Sequence, residues 1–211
     1  MDIGLFFNIF DLVWTLVFAI SGAIAAVKKR LDLYGIFILA IVTALGGGMI
    51  RDILLGRTPP GVFTDIRYLG VSCLGGLLVI FFYKAIDRLH HPLRIMDALG
   101  LGIFTVIGVN VTLASHGSWF AAVMLGMVTG TGGGMVRDVL AKEVPMVLQR
   151  EVYAVASMAG AVFYIIWLQL PLLAGFRDIQ GSIGALLSAA LIAAIRIISV
   201  YHNWHLPRLP E

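Results

Sequence analysis

The 211-residue chain carries 15 Lys and Arg against 12 Asp and Glu, a net charge of +3, and 60% of its residues are hydrophobic. Only 13% are charged, about half the share of a soluble domain, and the mean hydropathy is +0.97. That excludes a water-soluble enzyme, a disordered chain and a disulfide scaffold, and leaves a multi-span helical membrane protein.

A spanning helix needs about 20 mostly apolar residues, and seven stretches meet this: 4–27, 34–56, 64–86, 97–114, 118–141, 149–170 and 178–200. The runs are long and unalternating, unlike the short alternating segments of a β-barrel. The first has no basic residue before Lys28, so it reads as a retained span rather than a signal peptide. It places Asp11, Thr15, Phe18 and Gly22 on one helical face and ends at Lys28-Lys29-Arg30, a cluster suited to anionic lipid headgroups or simply to orientation. The second contains Gly46-Gly47-Gly48 and then Arg51-Asp52. The third carries Cys73, the only cysteine, so no internal disulfide forms. The loop after it holds His90-His91, a poor metal site because adjacent side chains diverge. The fourth has Asp97, Thr105 and Asn110; the two neutral residues either face a path or bond to neighbouring helices. The fifth repeats the glycine triplet as Gly132-Gly133-Gly134, followed by Arg137-Asp138. The seventh shows a small-residue ridge, Gly181, Ala185, Ala189 and Ala193, which predicts tight helix contact.

Loop charge sets an expected orientation. Lys28, Lys29, Arg30, Lys84, Arg88, Arg94, Lys142, Arg150 and Arg208 gather on one side, and Arg57, Arg67 and Arg177 on the other. Arg51, Arg137 and Arg196 lie within spans. The positive-inside rule then puts the N-terminus outside and the C-terminus in the cytoplasm. The basic balance needs no nucleic acid, and no soluble protein partner is evident.

The chain also repeats itself. Residues 46–52 and 132–138 match at six of seven positions, and the same offset of 86 pairs Asp11 with Asp97, Gly22 with Gly108, Pro59 with Pro145 and Asp65 with Glu151. Residues 1–86 and 87–172 therefore read as two three-span copies, with 173–211 as a seventh span and tail. Three spans per copy force the second to enter the membrane from the opposite side, giving an inverted repeat.

Glycine costs a helix about 1 kcal/mol relative to alanine. Three in a row at mid-span predict bends in the second and fifth spans. Two readings stand: freed carbonyls coordinate a cation beside a wet path, or the triplets let two helices approach closely. Charges at this depth are costly and need partners. By depth, Asp11 pairs with Arg51 in an outer layer and Asp97 with Arg137 in an inner one. Asp52 and Asp138 would lie in the first turn of a second half-helix. Such pairs can brace helices, line a path, or both. No nucleotide-loop, zincin or hydrolase motif is present, so no enzyme is expected.

With its two Gly-Gly-Gly-Met-x-Arg-Asp motifs and a three-plus-three-plus-one plan, the chain resembles the prokaryotic branch of the trimeric intracellular cation (TRIC) channel family, some members of which are described as glycine transporters. The resemblance implies a homotrimer in the plasma (inner) membrane, with one pore per protomer conducting potassium or sodium passively and no cofactor. Carried over by motif, the pore centre falls at Gly46–Gly48 and Gly132–Gly134, beside Arg51, Asp52, Arg137 and Asp138. The alternative is a secondary transporter of a small zwitterion such as glycine, since inverted repeats also suit alternating access and an Arg suits a carboxylate. A non-conducting scaffold is disfavoured by the cost of mid-span glycines and charges.

Overall fold

The computed structural model describes residues 3–86, 92–149, 152–170 and 177–202. The His90-His91 pair, Arg88, Arg150, Glu151 and Arg208 lie outside them. Nine helices are formed among the described residues: α1 (Ile3–Lys28), α2 (Leu33–Leu54), α3 (Gly61–Thr64), α4 (Ile66–Ile86), α5 (Pro92–Ala114), α6 (Trp119–Leu140), α7 (Met146–Gln149), α8 (Val152–Gln169) and α9 (Arg177–Tyr201). Seven of them, all but the one-turn α3 and α7, are long and apolar enough to cross a membrane.

Equivalent ends of the two copies are built by equivalent chemistry. Asp32 caps α2 by accepting the Gly35 N–H (2.8 Å), and Ser118 caps α6 by accepting the Ala121 N–H (3.2 Å). At the far ends, the N–H groups of Leu55 and Gly56 return to Arg51 and Ile53, as those of Ala141 and Lys142 return to Arg137 and Val139. The second residue past each helix takes a left-handed conformation, Gly56 at φ +69° and Lys142 at φ +56°.

The triplets do not interrupt the helices. Both α2 and α6 run uninterrupted through Gly46–Gly48 and Gly132–Gly134. The triplets instead bring the two helices into backbone contact. A methyl group on Gly47 would overlap the carbonyl oxygen of Thr129, and one on Gly133 would overlap that of Thr43. The contact is reciprocal: Thr43 and Thr129, like Gly47 and Gly133, are related by the offset of 86. Reciprocal contact between equivalent residues is the signature of a twofold relation. Phe18 and Phe104, another equivalent pair, meet with ring centroids 4.9 Å apart.

Around this crossing, α1 packs on α2, α4 and α5, and α9 packs on α5 and α8. Phe18, Leu39, Leu45, Val79 and Phe104 form one buried cluster, and Val109, Tyr164 and Ile165 belong to a second. The α9 ridge is used as expected at Ala189, whose carbonyl lies 2.5 Å from where a Gly102 methyl would sit. Threonine hydroxyls are satisfied locally: Thr15, Thr43, Thr112, Thr129 and Thr131 each donate to the carbonyl four residues back.

Candidate functional site: two charged layers and one cavity

The two Arg-Asp steps sit in the last turns of α2 and α6, not at the start of a half-helix. Arg51 donates to Asp52 Oδ1 through Nε (2.9 Å) and Nη2 (2.8 Å), and Arg137 Nε donates to Asp138 Oδ1 (2.8 Å). The second oxygen of each aspartate accepts a backbone N–H beyond the helix, from Gly61 for Asp52 and from Met146 for Asp138, both at 2.9 Å. Each aspartate thus fixes its arginine and ties the helix end to the short helix that follows.

Beyond that shared unit the copies diverge. In the inner layer the expected partner is found: Arg137 Nη1 donates to Asp97 Oδ1 at 2.8 Å, and to Ser21 Oγ at 2.7 Å. Asp97 and Arg137 are fully buried. In the outer layer the expected Asp11–Arg51 ion pair does not form. Asp11 accepts the Tyr68 hydroxyl (2.5 Å), and Arg51 turns to its neighbour Asp52. The cause lies in three substitutions between copies. Ser21, which holds Arg137, is replaced at the equivalent position by Ile107. Tyr153, whose hydroxyl lies beside Gly134 together with Asp97 Oδ1, is replaced by Arg67. Tyr68 has Ala154 as its counterpart.

Asp11 and Arg51 instead face one cavity of about 310 Å³, shared with Thr15, Gly48, Asp52, Arg57, Asp65, Tyr68 and Thr129 among others. It is roomy enough for several waters. Its floor is the glycine crossing, reached at Gly48 and Thr129. Asp65, at the rim before α4, is gripped by Arg67 through Nε and Nη2, which holds its carboxyl below the usual carboxylate range. So one layer opens onto a cavity, and the other is buried and ion-paired between helices.

Of the remaining expected site residues, Gly46, Gly47, Gly132 and Gly133 form the helix crossing rather than a set of free carbonyls. Gly134 faces the inner layer, with Asp97 Oδ1 and the Tyr153 hydroxyl each 3.3 Å from a methyl built on it. Thr105 is corrected in placement: it does not line the cavity but bonds the Leu101 carbonyl and Ser157 Oγ, both at 2.7 Å, joining α5 to α8. Asn110 likewise accepts from Tyr164. Lys28, Lys29 and Arg30 are exposed, and Lys29 pairs with Glu143 at 2.6 Å across two loops of the same face. Among the described residues no group of His, Cys, Asp or Glu is arranged to hold a metal.

Sequence reasoning missed Tyr68, Tyr153, Ser21, Arg57 and Arg196. The first three differ between the copies and so carry no repeat signal. Arg196 carried one that was passed over: a charge within an apolar span.

Solved structures share this whole architecture. A TRIC cation channel structure is 36% identical, with a TM-score of 0.82 over 97% of this chain and 98% of that one. The TRIC trimeric intracellular cation channel orthologue from Rhodobacter sphaeroides is 28% identical, with a TM-score of 0.84 over 93% and 98% of the two chains. Fold and site thus define a seven-span helical membrane protein with the TRIC channel fold. The family described as Glycine transporter matches twice, over residues 8–84 and 94–169. A UPF0126 membrane protein of Deinococcus radiodurans is 40% identical over 95% of this chain and 92% of its own. The UPF0126 inner membrane protein YadS of Escherichia coli is 42% identical over 73% and 75% of the two chains. The chain belongs to this Glycine transporter (UPF0126) family.

Proposed function

We propose that the chain is a passive monovalent cation channel, potassium-permeable, with one path through each protomer of a homotrimer in the plasma (inner) membrane. It is not an enzyme. The observation that carries the reading is the end-to-end match to TRIC cation channel structures, at 36% identity over 97% of the chain. The cavity supports it: Asp11, Asp52 and Asp65 supply carboxylate oxygens on the route to the helix crossing, and Asp52, paired with Arg51, neutralises part of the fixed positive charge. Ions entering the cavity meet the buried, ion-paired layer beyond the glycines, which closes the path at rest. Residues 1–86 and 87–172 act as its two inverted units, with 173–211 outside them. The loop-charge asymmetry supports an external N-terminus, which puts the cavity on the outer side and Lys28–Arg30 among cytoplasmic headgroups.

A second reading has its own support. Arg57 and Asp11 line the same cavity, a basic and an acidic group that suit the two ends of a zwitterion such as glycine. The family's description points the same way. Purified protein in planar bilayers under a potassium gradient separates the two. Discrete unitary currents reversing near the potassium equilibrium potential are expected. Silent bilayers, together with saturable ion-coupled glycine uptake into liposomes of the same preparation, would establish the transporter instead.

A further inference from the structure

Arg196 belongs to neither repeat. It lies on α9, is 2% exposed, and its guanidinium carbon stands 4.7 Å from the centroid of the Tyr153 ring. At this spacing a cation is attracted to the ring face, strongly when both are shielded from water. Tyr153 is itself 2% exposed. Its hydroxyl and Asp97 Oδ1 border the same point beside Gly134, each 3.3 Å from a methyl built there, and Asp97 holds Arg137. A single chain of contacts therefore runs from the seventh helix into the inner layer: Arg196, Tyr153, Asp97, Arg137.

The outer layer lacks this chain. Its counterpart of Tyr153 is Arg67, which leans out to Asp65, and α9 has no counterpart in the first copy. The layer without the α9 contact is the one that opens into a cavity of about 310 Å³. The layer with it is buried and ion-paired.

We propose that Arg196 is a positioning residue that keeps the inner layer closed, by clamping the Tyr153 ring in place beside Asp97 and Arg137. The seventh helix thereby sets the resting state of the path. This builds on the channel reading but is tested apart from it. Ser21→Cys, in a Cys73→Ser background, places a thiol against Arg137, and its reaction with a membrane-impermeant charged thiol reagent is followed by mass in reconstituted vesicles. The reagent is added on the side where α1 ends.

With Arg196 intact, Cys at position 21 should react slowly. Arg196→Met, which keeps the length and loses the charge, should raise the rate at least tenfold, and Arg196→Lys, which keeps a cation on the ring, should restore slow labelling. A merely structural role would lower the melting temperature without this rescue. Tyr153→Leu removes the ring that Arg196 stacks on, so it should also speed labelling, and it covers the case in which Arg196→Met does not fold. Unchanged labelling in a folded Tyr153→Leu, or in a folded Arg196→Met, overturns the proposal. In bilayers the same variants should raise open probability and leave unitary conductance unchanged. Silent bilayers with the labelling pattern intact would refute the channel reading and leave the clamp standing.

Discussion

Alanine at Gly47 or Gly133 will prevent normal assembly of the fold, while alanine at Gly46 or Gly48 will be tolerated. All four glycines belong to the same motif, so composition alone gives no reason to separate them. Geometry does. The added methyl at Gly47 runs into the Thr129 carbonyl and at Gly133 into the Thr43 carbonyl, both backbone groups inside long helices that cannot step aside singly. Relief requires the α2–α6 crossing itself to open. Overpacking commonly costs about 1–3 kcal/mol, and this rigid case belongs at or above the upper end. At Gly46 the nearest atom to the new methyl is the Gly133 Cα at 3.6 Å, and at Gly48 it is Arg51 Nη2 at 3.8 Å, ordinary contact distances. There alanine should gain up to about 1 kcal/mol of helix propensity. Thermal unfolding in detergent, read by size-exclusion fluorescence, checks the ranking. Equal losses at all four positions would show that the crossing is not held by these two contacts.

Neutralising one partner of the inner layer should be the other large effect. Asp97 and Arg137 are both fully buried, and removing one member of a buried pair leaves an uncompensated charge, at a cost of about 3–5 kcal/mol. Arg137→Gln should be worse than Asp97→Asn, because it strands two carboxylates, whereas Asp97→Asn leaves Arg137 with Asp138 at 2.8 Å. The double variant should be more stable than the sum of the singles by about 1–3 kcal/mol. Arg51→Gln should cost only about 1–2 kcal/mol, since Arg51 faces the cavity and Asp52 keeps the Gly61 N–H. Thermal shifts of the four variants measure the cycle. Strict additivity of Asp97→Asn and Arg137→Gln would remove the pair from the account.

The architecture was legible because membrane physics is demanding. Seven apolar runs and a constant offset of 86 leave little choice but seven helices in inverted copies. The Asp97–Arg137 pair was legible for the same reason: charges in a bilayer need partners, and depth matched these two. The Asp11–Arg51 pair was expected by depth, and it failed where the copies differ, at Ile107 in place of Ser21 and at Tyr68, which captures Asp11. Depth arguments place side chains in a layer but do not aim them, so they could not foresee that each arginine would turn first to the aspartate beside it. The glycine triplets were ambiguous because the same residue that tolerates a break also permits close approach. Only the partner helix decides, and here the partner is the other triplet. Thr105 illustrates a further limit: a polar residue in a span is satisfied by its own helix and a neighbour as readily as by water.

The central claim is that the cavity at Asp11 and Arg51 is the mouth of an ion path through each protomer. Gly48 lies on its floor and has room for a side chain. The most direct measurement is the unitary current of Gly48→Cys, in a Cys73→Ser background, before and after a positively charged thiol reagent reaches the cavity side. The account predicts a full-size current that falls in discrete steps to near zero as each subunit is modified. Full labelling confirmed by mass, with unitary current and reversal potential unchanged, would contradict it.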